Sequence, residues 1–235
     1  MKIEEVLLKE QPDAVVVYGD TNSTLAGALA SKKLNIKLAH VEAGLRSFNM
    51  KMPEEINRIV TDKIADLLLC PTETAVANLQ GEGLDTNDRT IDLSGDIMKD
   101  AVAYYAEMAK KTSKILEKKD LKSGEFVLAT IHRQENTNKK ETLSEVLTGL
   151  SKIAEQQKVI IPLHPGTAAK IKKYDLKFDL NFIEPVGYFD MLQLLEHCTM
   201  VVTDSGGLQK EAFFHKKPCV IARHETEWVE LVEKG

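Results

Sequence analysis

The sequence is poor in what would mark a disulfide-stapled, metal-binding or membrane-spanning protein. Its 235 residues include three cysteines, Cys70, Cys198 and Cys219. They are widely separated, odd in number and form no Cys-x-x-Cys pair, so neither a disulfide framework nor a zinc site is indicated, and burial is the role expected of them. Long apolar runs are missing as well: stretches such as Ala65 to Cys70 fall far short of the roughly 20 residues that cross a bilayer. No membrane partner is therefore expected. The first ten residues mix acids into their apolar positions and lack the uninterrupted apolar core and small-residue cleavage site of a secretory signal, so an amphipathic helix and a cytoplasmic location are expected. There is no excess of basic residues, because 31 Lys and Arg stand against 36 Asp and Glu, a net charge of −5. That balance disfavours nucleic acid, whose non-specific affinity comes from neutralising phosphates, and points to a small-molecule partner. The one basic stretch, Lys110 to Lys122, alternates with acids and apolar residues and reads as a solvated helix face and linker. No Gly-x-Gly-x-x-Gly opens a strand–helix turn, so no nicotinamide is expected, and no other cofactor or metal is indicated.

What is present is a regular alternation. From Pro12 onward, short β-branched runs alternate with amphipathic segments of helical length, the pattern of repeated βα units and a parallel sheet. Strands are expected at Ala14–Tyr18, Lys37–Val41, Asp66–Cys70, Thr90–Ser94, Phe126–Ile131, Lys158–Pro162, Asn181–Glu184, Met200–Thr203 and Pro218–Ala222. Nine strands are too many for one sheet in a chain this short. A long helical stretch from about Ile97 to Lys118, followed by Asp-Leu-Lys-Ser-Gly-Glu, separates four strands from five. The expectation is thus an α/β protein of two Rossmann-like, doubly wound parallel-sheet domains, residues 1–118 and 119–235.

The unusual polar residues all follow expected strands. Gly19-Asp20-Thr21 follows the first and Glu42-Ala43-Gly44-Leu45-Arg46 the second. His132-Arg133-Gln134-Glu135-Asn136 follows the fifth, His164-Pro165-Gly166-Thr167 the sixth, Asp204-Ser205-Gly206-Gly207 the eighth and Arg223 the ninth. Ligands of open parallel sheets sit outside the carboxyl ends of the strands, where helix N-termini present free N–H groups. Two such edges imply an interdomain cleft that excludes water from a substrate.

Each motif has a plain structural alternative. Ser205-Gly206-Gly207 opens a helix as a phosphate-binding turn does, and Glu211, further along, suits ribose hydroxyls; an Asp/Ser N-cap with tight packing explains the same residues. His132 can carry a proton near neutral pH and Arg133 can pair with phosphate, and the density of this cluster favours a site over a structural histidine. His164 is equally a site residue or a turn residue. His197, His215 and His224 read as surface or packing residues. Asp20 is a possible N-cap for the following helix, and Glu54, after Pro53, is a possible first-turn acid. Glu42 breaks the balance: packing does not require a charge in an Ala-Gly loop flanked by His40 and Arg46.

Together, Gly19-Asp20-Thr21, His40-Val41-Glu42-Ala43-Gly44-Leu45-Arg46, Pro53-Glu54-Glu55-Ile56-Asn57-Arg58, His132-Arg133-Gln134-Glu135-Asn136 and Thr203-Asp204-Ser205-Gly206-Gly207 closely resemble the non-hydrolysing UDP-N-acetylglucosamine 2-epimerases, in order and spacing over nearly the whole chain. The resemblance implies a GT-B fold and interconversion of UDP-N-acetylglucosamine with UDP-N-acetylmannosamine, by elimination of UDP to 2-acetamidoglucal and re-addition. It implies catalytic roles for Asp20, Glu42, Glu54 and His132. It also implies substrate binding by Arg46, Arg133, His164, Ser205, Gly206, Gly207, Glu211 and Arg223, and a homodimer for the full-length enzyme. The family's opening strand and Gly-Thr-Arg-Pro-Glu loop, and its closing strand and helix, have no counterpart, so a truncation at both ends is expected. Gln134, Asp96 and Lys210 depart from the family pattern, where Arg, Asn and Glu are frequent. The rival readings are the hydrolysing branch, whose loop carries Ser-Ser-Gly, a GT-B glycosyltransferase, and a non-catalytic nucleotide-sugar-binding fragment.

Overall fold

The structure, a computed structural model, describes residues 2–223 and Trp228; His224 lies outside the described residues. The chain divides into two compact units that meet in sequence at Ile97 and Met98. The first opens with α1 (Lys2–Glu10) and continues β1 (Ala14–Tyr18), α2 (Asn22–Lys33), β2 (Lys37–Val41), α3 (Pro53–Ile64), β3 (Leu67–Cys70), α4 (Glu73–Gly81) and β4 (Thr90–Leu93). Its four strands are parallel and lie in chain order, β1-β2-β3-β4. Val16 and Tyr18 on the edge strand β1 are 49% and 60% exposed. Asp66 starts β3 from outside it: its carboxylate accepts from Leu38 N and from Lys32 Nζ, which fixes the entry of the strand against β2.

The second unit contains α5 (Ile97–Thr112), α6 (Ile115–Lys118), β5 (Phe126–Thr130), α7 (Gln134–Thr137), α8 (Lys140–Ala154), β6 (Lys158–Pro162), α9 (Pro165–Lys173), β7 (Asn181–Ile183), α10 (Tyr188–His197), β8 (Met200–Thr203), α11 (Gly206–Phe214) and β9 (Cys219–Ile221). The expected Ile97–Lys118 stretch is two helices, parted at Ser113, whose Oγ accepts from Ile115 N and donates to Asp190. That tie sets α5 and α6 against the unit that follows them, rather than leaving them as a linker.

The second sheet is parallel in the order β7-β6-β5-β8-β9. Its strands read as nearly continuous apolar runs because both faces are covered. Phe126 and Leu128 of β5 pack with Ile160, Val201, Leu194 and Leu208 on one face. Val127 and Ala129, pointing the opposite way, pack with Leu143, Leu147 and Leu150 of α8. The winding runs outward from β5 to β7, then returns to place β8 on β5's other side. The carboxyl ends of β5 and β8 therefore diverge at a topological switch point, where open sheets bind ligands.

Candidate functional site

In the second unit, Asp204 organises the switch point. It leaves β8 fully buried, and its carboxylate accepts from the backbone N–H groups of His132 and Arg133 and from Asn136 Nδ2, at 2.9 to 3.1 Å. Its Oδ1 also lies 3.2 Å from His132 Nδ1. Burial opposes its ionisation, but the hydrogen bonds from His132, Asn136 and the two backbone amides outweigh burial and hold its pKa below the usual carboxylate range. One buried anion thus fixes both the backbone and the ring of His132, whose side chain remains 38% exposed. Thr130 and Thr203, paired side by side on β5 and β8, join their hydroxyls at 2.7 Å and close the floor.

Ser205, not Asp204, caps α11: its Oγ accepts from Leu208 N at 3.3 Å. The first N–H groups of that helix lie outside the helical bonding pattern. A Cβ on Gly207 would meet only Met98 and Ser205, at 3.8 and 3.9 Å, which is ordinary contact. The protein itself therefore makes no steric demand for glycine there. Glu211 stands further along α11, 8% exposed. Burial raises its pKa against the opposing hydrogen bond from Tyr188 and the charge of Lys210. Tyr188 in turn is pushed up to about 12 by burial and by Glu211, so the phenol is the donor of that pair.

His132, His164, Ser205, Gly207 and Glu211 line one cavity of about 400 Å³, with Pro162, Pro185, Val186, Met191 and Leu208 as its apolar walls. His164 caps α9, accepting from Gly166 N through Nδ1 at 3.1 Å, so its proton sits on Nε2. Its ring centroid is 5.9 Å from that of His132. Arg133 is half-buried at the start of α7. Arg223 follows β9, also half-buried.

In the first unit, β1 is followed by Gly19, with φ +63°, and then by Asp20. Thr21 caps α2 in a reciprocal box with Thr24, which relieves Asp20 of that duty. Asp20 Oδ2 instead accepts from Arg58 Nη1 at 2.5 Å, and its carbonyl accepts from Asn57. Glu42 leaves β2 with φ +73°, a left-handed conformation uncommon for a residue with a side chain. Its carboxylate hangs over Gly19, where an added Cβ would lie 3.5 Å from Glu42 Oε2. Glu54 occupies the first turn of α3, after Pro53, and makes no hydrogen bond or ion pair among the described residues.

Arg46 is placed away from solvent. Predicted to bind substrate, it is 2% exposed and turned inward. Its Nε and Nη2 fork onto Glu82, and its Nη1 reaches Asp62 and the Leu45 carbonyl. Burial works against its charge, but Glu82 and Asp62 outweigh burial and raise its pKa. Its hydrogen bonds to Glu82, Asp62 and Leu45 all go to residues of its own unit.

Four residues position the rest. Glu55, Arg58 and Asp204 fall within the sequence motifs, the first two with no role assigned and Asp204 only with that of a possible N-cap, and Asp62 falls in none of them. Glu55 is fully buried and accepts from Ser47 N and Oγ, Phe48 N and the Arg58 guanidinium. Burial opposes its ionisation, and those bonds outweigh it to lower its pKa. Arg58, fully buried, links Glu55 to Asp20. The available signal was helical spacing, for Glu55, Arg58 and Asp62 fall at i, i+3 and i+7 of α3, one face of a helix.

Comparison with known proteins fits this geometry. A family model described as UDP-N-acetylglucosamine 2-epimerase matches residues 1–235. The chain belongs to the UDP-N-acetylglucosamine 2-epimerase family. It is 52% identical, over its whole length, to 65% of the UDP-2,3-diacetamido-2,3-dideoxy-D-glucuronate 2-epimerase of Pseudomonas aeruginosa. It is 44% identical, over 99% of its length, to 66% of a UDP-N-acetylglucosamine 2-epimerase of Methanococcus maripaludis. The Methanocaldococcus jannaschii UDP-GlcNAc 2-epimerase, solved in complex with UDP-GlcNAc and UDP, matches 99% of this chain with 66% of its own, at 43% identity and a TM-score of 0.88. The chain therefore spans about two thirds of the length of these epimerases. Its fold class is theirs: α/β, GT-B-like, built on parallel sheets. Among the described residues, no helix of this epimerase-family chain is long and apolar enough to cross a membrane.

Proposed function

We propose that the protein epimerises a UDP-linked 2-acetamido sugar at C2, converting UDP-N-acetylglucosamine to UDP-N-acetylmannosamine and back without net hydrolysis. One observation carries the reading. A histidine held by a buried aspartate shares a cavity with a helix N-terminus and with a buried glutamate. That arrangement puts a proton carrier beside a site suited to a phosphate group and a ribose.

The C2 proton of the sugar is too weakly acidic for simple removal and return. In the proposed route a carboxylate of the Asp20, Glu42 and Glu54 set takes that proton while the C1–O bond to UDP breaks, leaving 2-acetamidoglucal and UDP. Re-addition of UDP at C1, with a proton delivered to the other face of C2, gives the epimer. The α11 N-terminus and Arg133 stabilise the charge that gathers on the departing diphosphate. His132 moves a proton at that same end, Glu211 accepts from the ribose, and the free Nε2–H of His164 donates to the nucleotide. Gly207 is a glycine because a phosphate oxygen, not a protein atom, needs its space. Arg223 completes the nucleotide contacts.

Turnover in deuterated water is the test. UDP-N-acetylmannosamine labelled at C2 supports the reading; an unlabelled epimer overturns elimination, and free N-acetylmannosamine assigns the hydrolysing branch. The 52% identity to the diacetamido-glucuronate epimerase favours a second substrate. Parallel assays with the 2,3-diacetamido glucuronate and the N-acetylglucosamine nucleotides decide between them by kcat/KM.

A further inference from the structure

The first unit holds a buried charge cluster that the reaction scheme does not use, and it lies directly beneath two of the proposed catalytic carboxylates. His40, in the middle of that sheet, is fully buried. Its Nδ1 is 2.6 Å from Asp62 Oδ1 and its Nε2 is 2.8 Å from the Gly19 carbonyl oxygen. A carbonyl can only accept. In either neutral tautomer one ring nitrogen would turn a lone pair toward an oxygen lone pair, at 2.6 or 2.8 Å, in a place with no water to intervene. The other oxygen of Asp62 is already committed, accepting from Arg46 Nη1 and Gly44 N. Arg46 in turn is forked onto Glu82. Glu82 also faces Lys63, whose Nζ lies 4.0 Å from its Oε2, so a proton on each nitrogen of His40 follows from the hydrogen-bond geometry at Asp62 and Gly19.

We propose that His40 is a positioning residue for epimerisation, an imidazolium that ties the Asp20 loop to the Glu42 loop through Asp62. One end of the ring holds the carbonyl of Gly19, immediately before Asp20. The other end holds Asp62, which fixes Gly44 two residues after Glu42. Gly44 is packed closely against α4, where an added Cβ would clash with the Ala75 carbonyl oxygen and where its own carbonyl accepts from Asn78 Nδ2. Because the Glu42 carboxylate already overhangs Gly19, a shift of the Gly19 carbonyl changes the spacing of Asp20 and Glu42 together. This inference rests on the proposed roles of those two residues.

The test pairs a spectrum with kinetics. Nitrogen-15 NMR of the histidine rings in the wild-type protein should show His40 with both nitrogens protonated at neutral pH. His40→Asn keeps a donor for Asp62 but cannot reach Gly19. It should fold, with kcat down on the order of 100-fold, as expected when reacting groups shift by about 1 Å. KM and UDP affinity should change less than about threefold, because the nucleotide residues lie in the other unit. His40→Gln, whose amide can reach the Gly19 carbonyl, should recover part of the kcat. A ring with a single proton, or a His40→Asn enzyme with wild-type kcat, overturns the proposal. So does a loss of kcat matched by an equal loss of UDP affinity, which would mark His40 as merely structural. If the wild type turns over no nucleotide sugar, the proposed function fails, and the ring spectrum still decides whether the tie exists.

Discussion

Asp204→Asn is the substitution that most directly tests how the second unit is built. The carboxylate accepts from two backbone N–H groups, the Asn136 amide and, by proximity, the His132 ring, all without solvent at the aspartate. An alanine would strip the acceptor from two part-buried backbone N–H groups and leave Asn136 Nδ2 with the Ala222 carbonyl alone, at roughly 1–3 kcal/mol for each lost bond. Asparagine is isosteric and keeps one acceptor oxygen, but it turns an NH₂ toward a donor, so about 2–4 kcal/mol should be lost. That corresponds to a fall in Tm of roughly 6–15 °C for a unit of this size. The sign of the pH dependence is fixed by the lowered pKa of Asp204. A depressed carboxylate stabilises the fold above its unfolded pKa, about 3.9, and that contribution disappears as pH falls through the folded value. The gap between wild type and Asp204→Asn should therefore be full at pH 7 and shrink toward pH 3. Thermal melts followed by circular dichroism across that range are the assay, with turnover in parallel, where the disoriented His132 should cost on the order of 100-fold in kcat. Equal Tm values at pH 7, or a gap that stays constant into acid, would refute the account of Asp204 as the charged centre of this site.

Other substitutions separate site from scaffold. Glu211→Ala should weaken UDP binding by roughly ten- to a hundredfold in calorimetry, the loss of about 1–3 kcal/mol, while Tm stays near wild type; unchanged affinity would assign Glu211 to structure. Since burial raises the pKa of Glu211, UDP affinity should climb as pH rises through it, and Glu211→Gln should flatten that profile. Arg46→Lys should lower stability by about 3–5 kcal/mol, because a buried fork is broken. UDP affinity measured on the folded fraction should be unaffected, and a selective loss of UDP binding would restore Arg46 to the ligand site. Gly44→Ala combines φ +81° with a 2.4 Å approach to a backbone oxygen, so a loss of roughly 2–5 kcal/mol is expected. Gly149→Ala, on the exposed side of α8 with nothing within 4 Å of the new Cβ, should instead raise stability by about 0.5–1 kcal/mol.

The strands were legible because the physics that makes them is local. Ala14–Tyr18, Lys37–Val41, Lys158–Pro162 and Met200–Thr203 have the expected bounds, being β-branched or apolar runs closed by polar residues that turn away from the sheet. Asp66 was assigned to β3 one residue too early for a non-local reason: its side chain is recruited by Leu38 N and Lys32, on β2 and α2. The break between α5 and α6 was missed for the same kind of reason, since Ser113 is an ordinary helical residue until Asp190 supplies a partner. The polar loops after β5 and β8 stood out because a parallel strand buried on both faces rarely needs charge at its end.

What sequence could not separate was charge that meets a ligand from charge that meets charge. Arg46 and Arg133 both follow strands in Gly- or His-bearing loops, yet Glu82, which neutralises Arg46, lies 36 residues away in sequence. Likewise α3 reads as a helix with an acidic start and an apolar stripe, whereas its inner face carries Glu55, Arg58, Thr61 and Asp62. Buried charges persist only where partners satisfy them, and these serve to fix loops: Glu55 gathers Ser47 and Phe48, Arg58 reaches Asp20, and Asp62 holds His40, Gly44 and Arg46. The pairing also sorts the three proposed catalytic carboxylates. Asp20 accepts from the buried guanidinium of Arg58, which fixes its position. Glu54, one residue before the anchored Glu55, makes no hydrogen bond or ion pair among the described residues and sits on the same helix turn. A base for a weakly acidic C–H needs that combination, a fixed backbone under an uncompensated carboxylate.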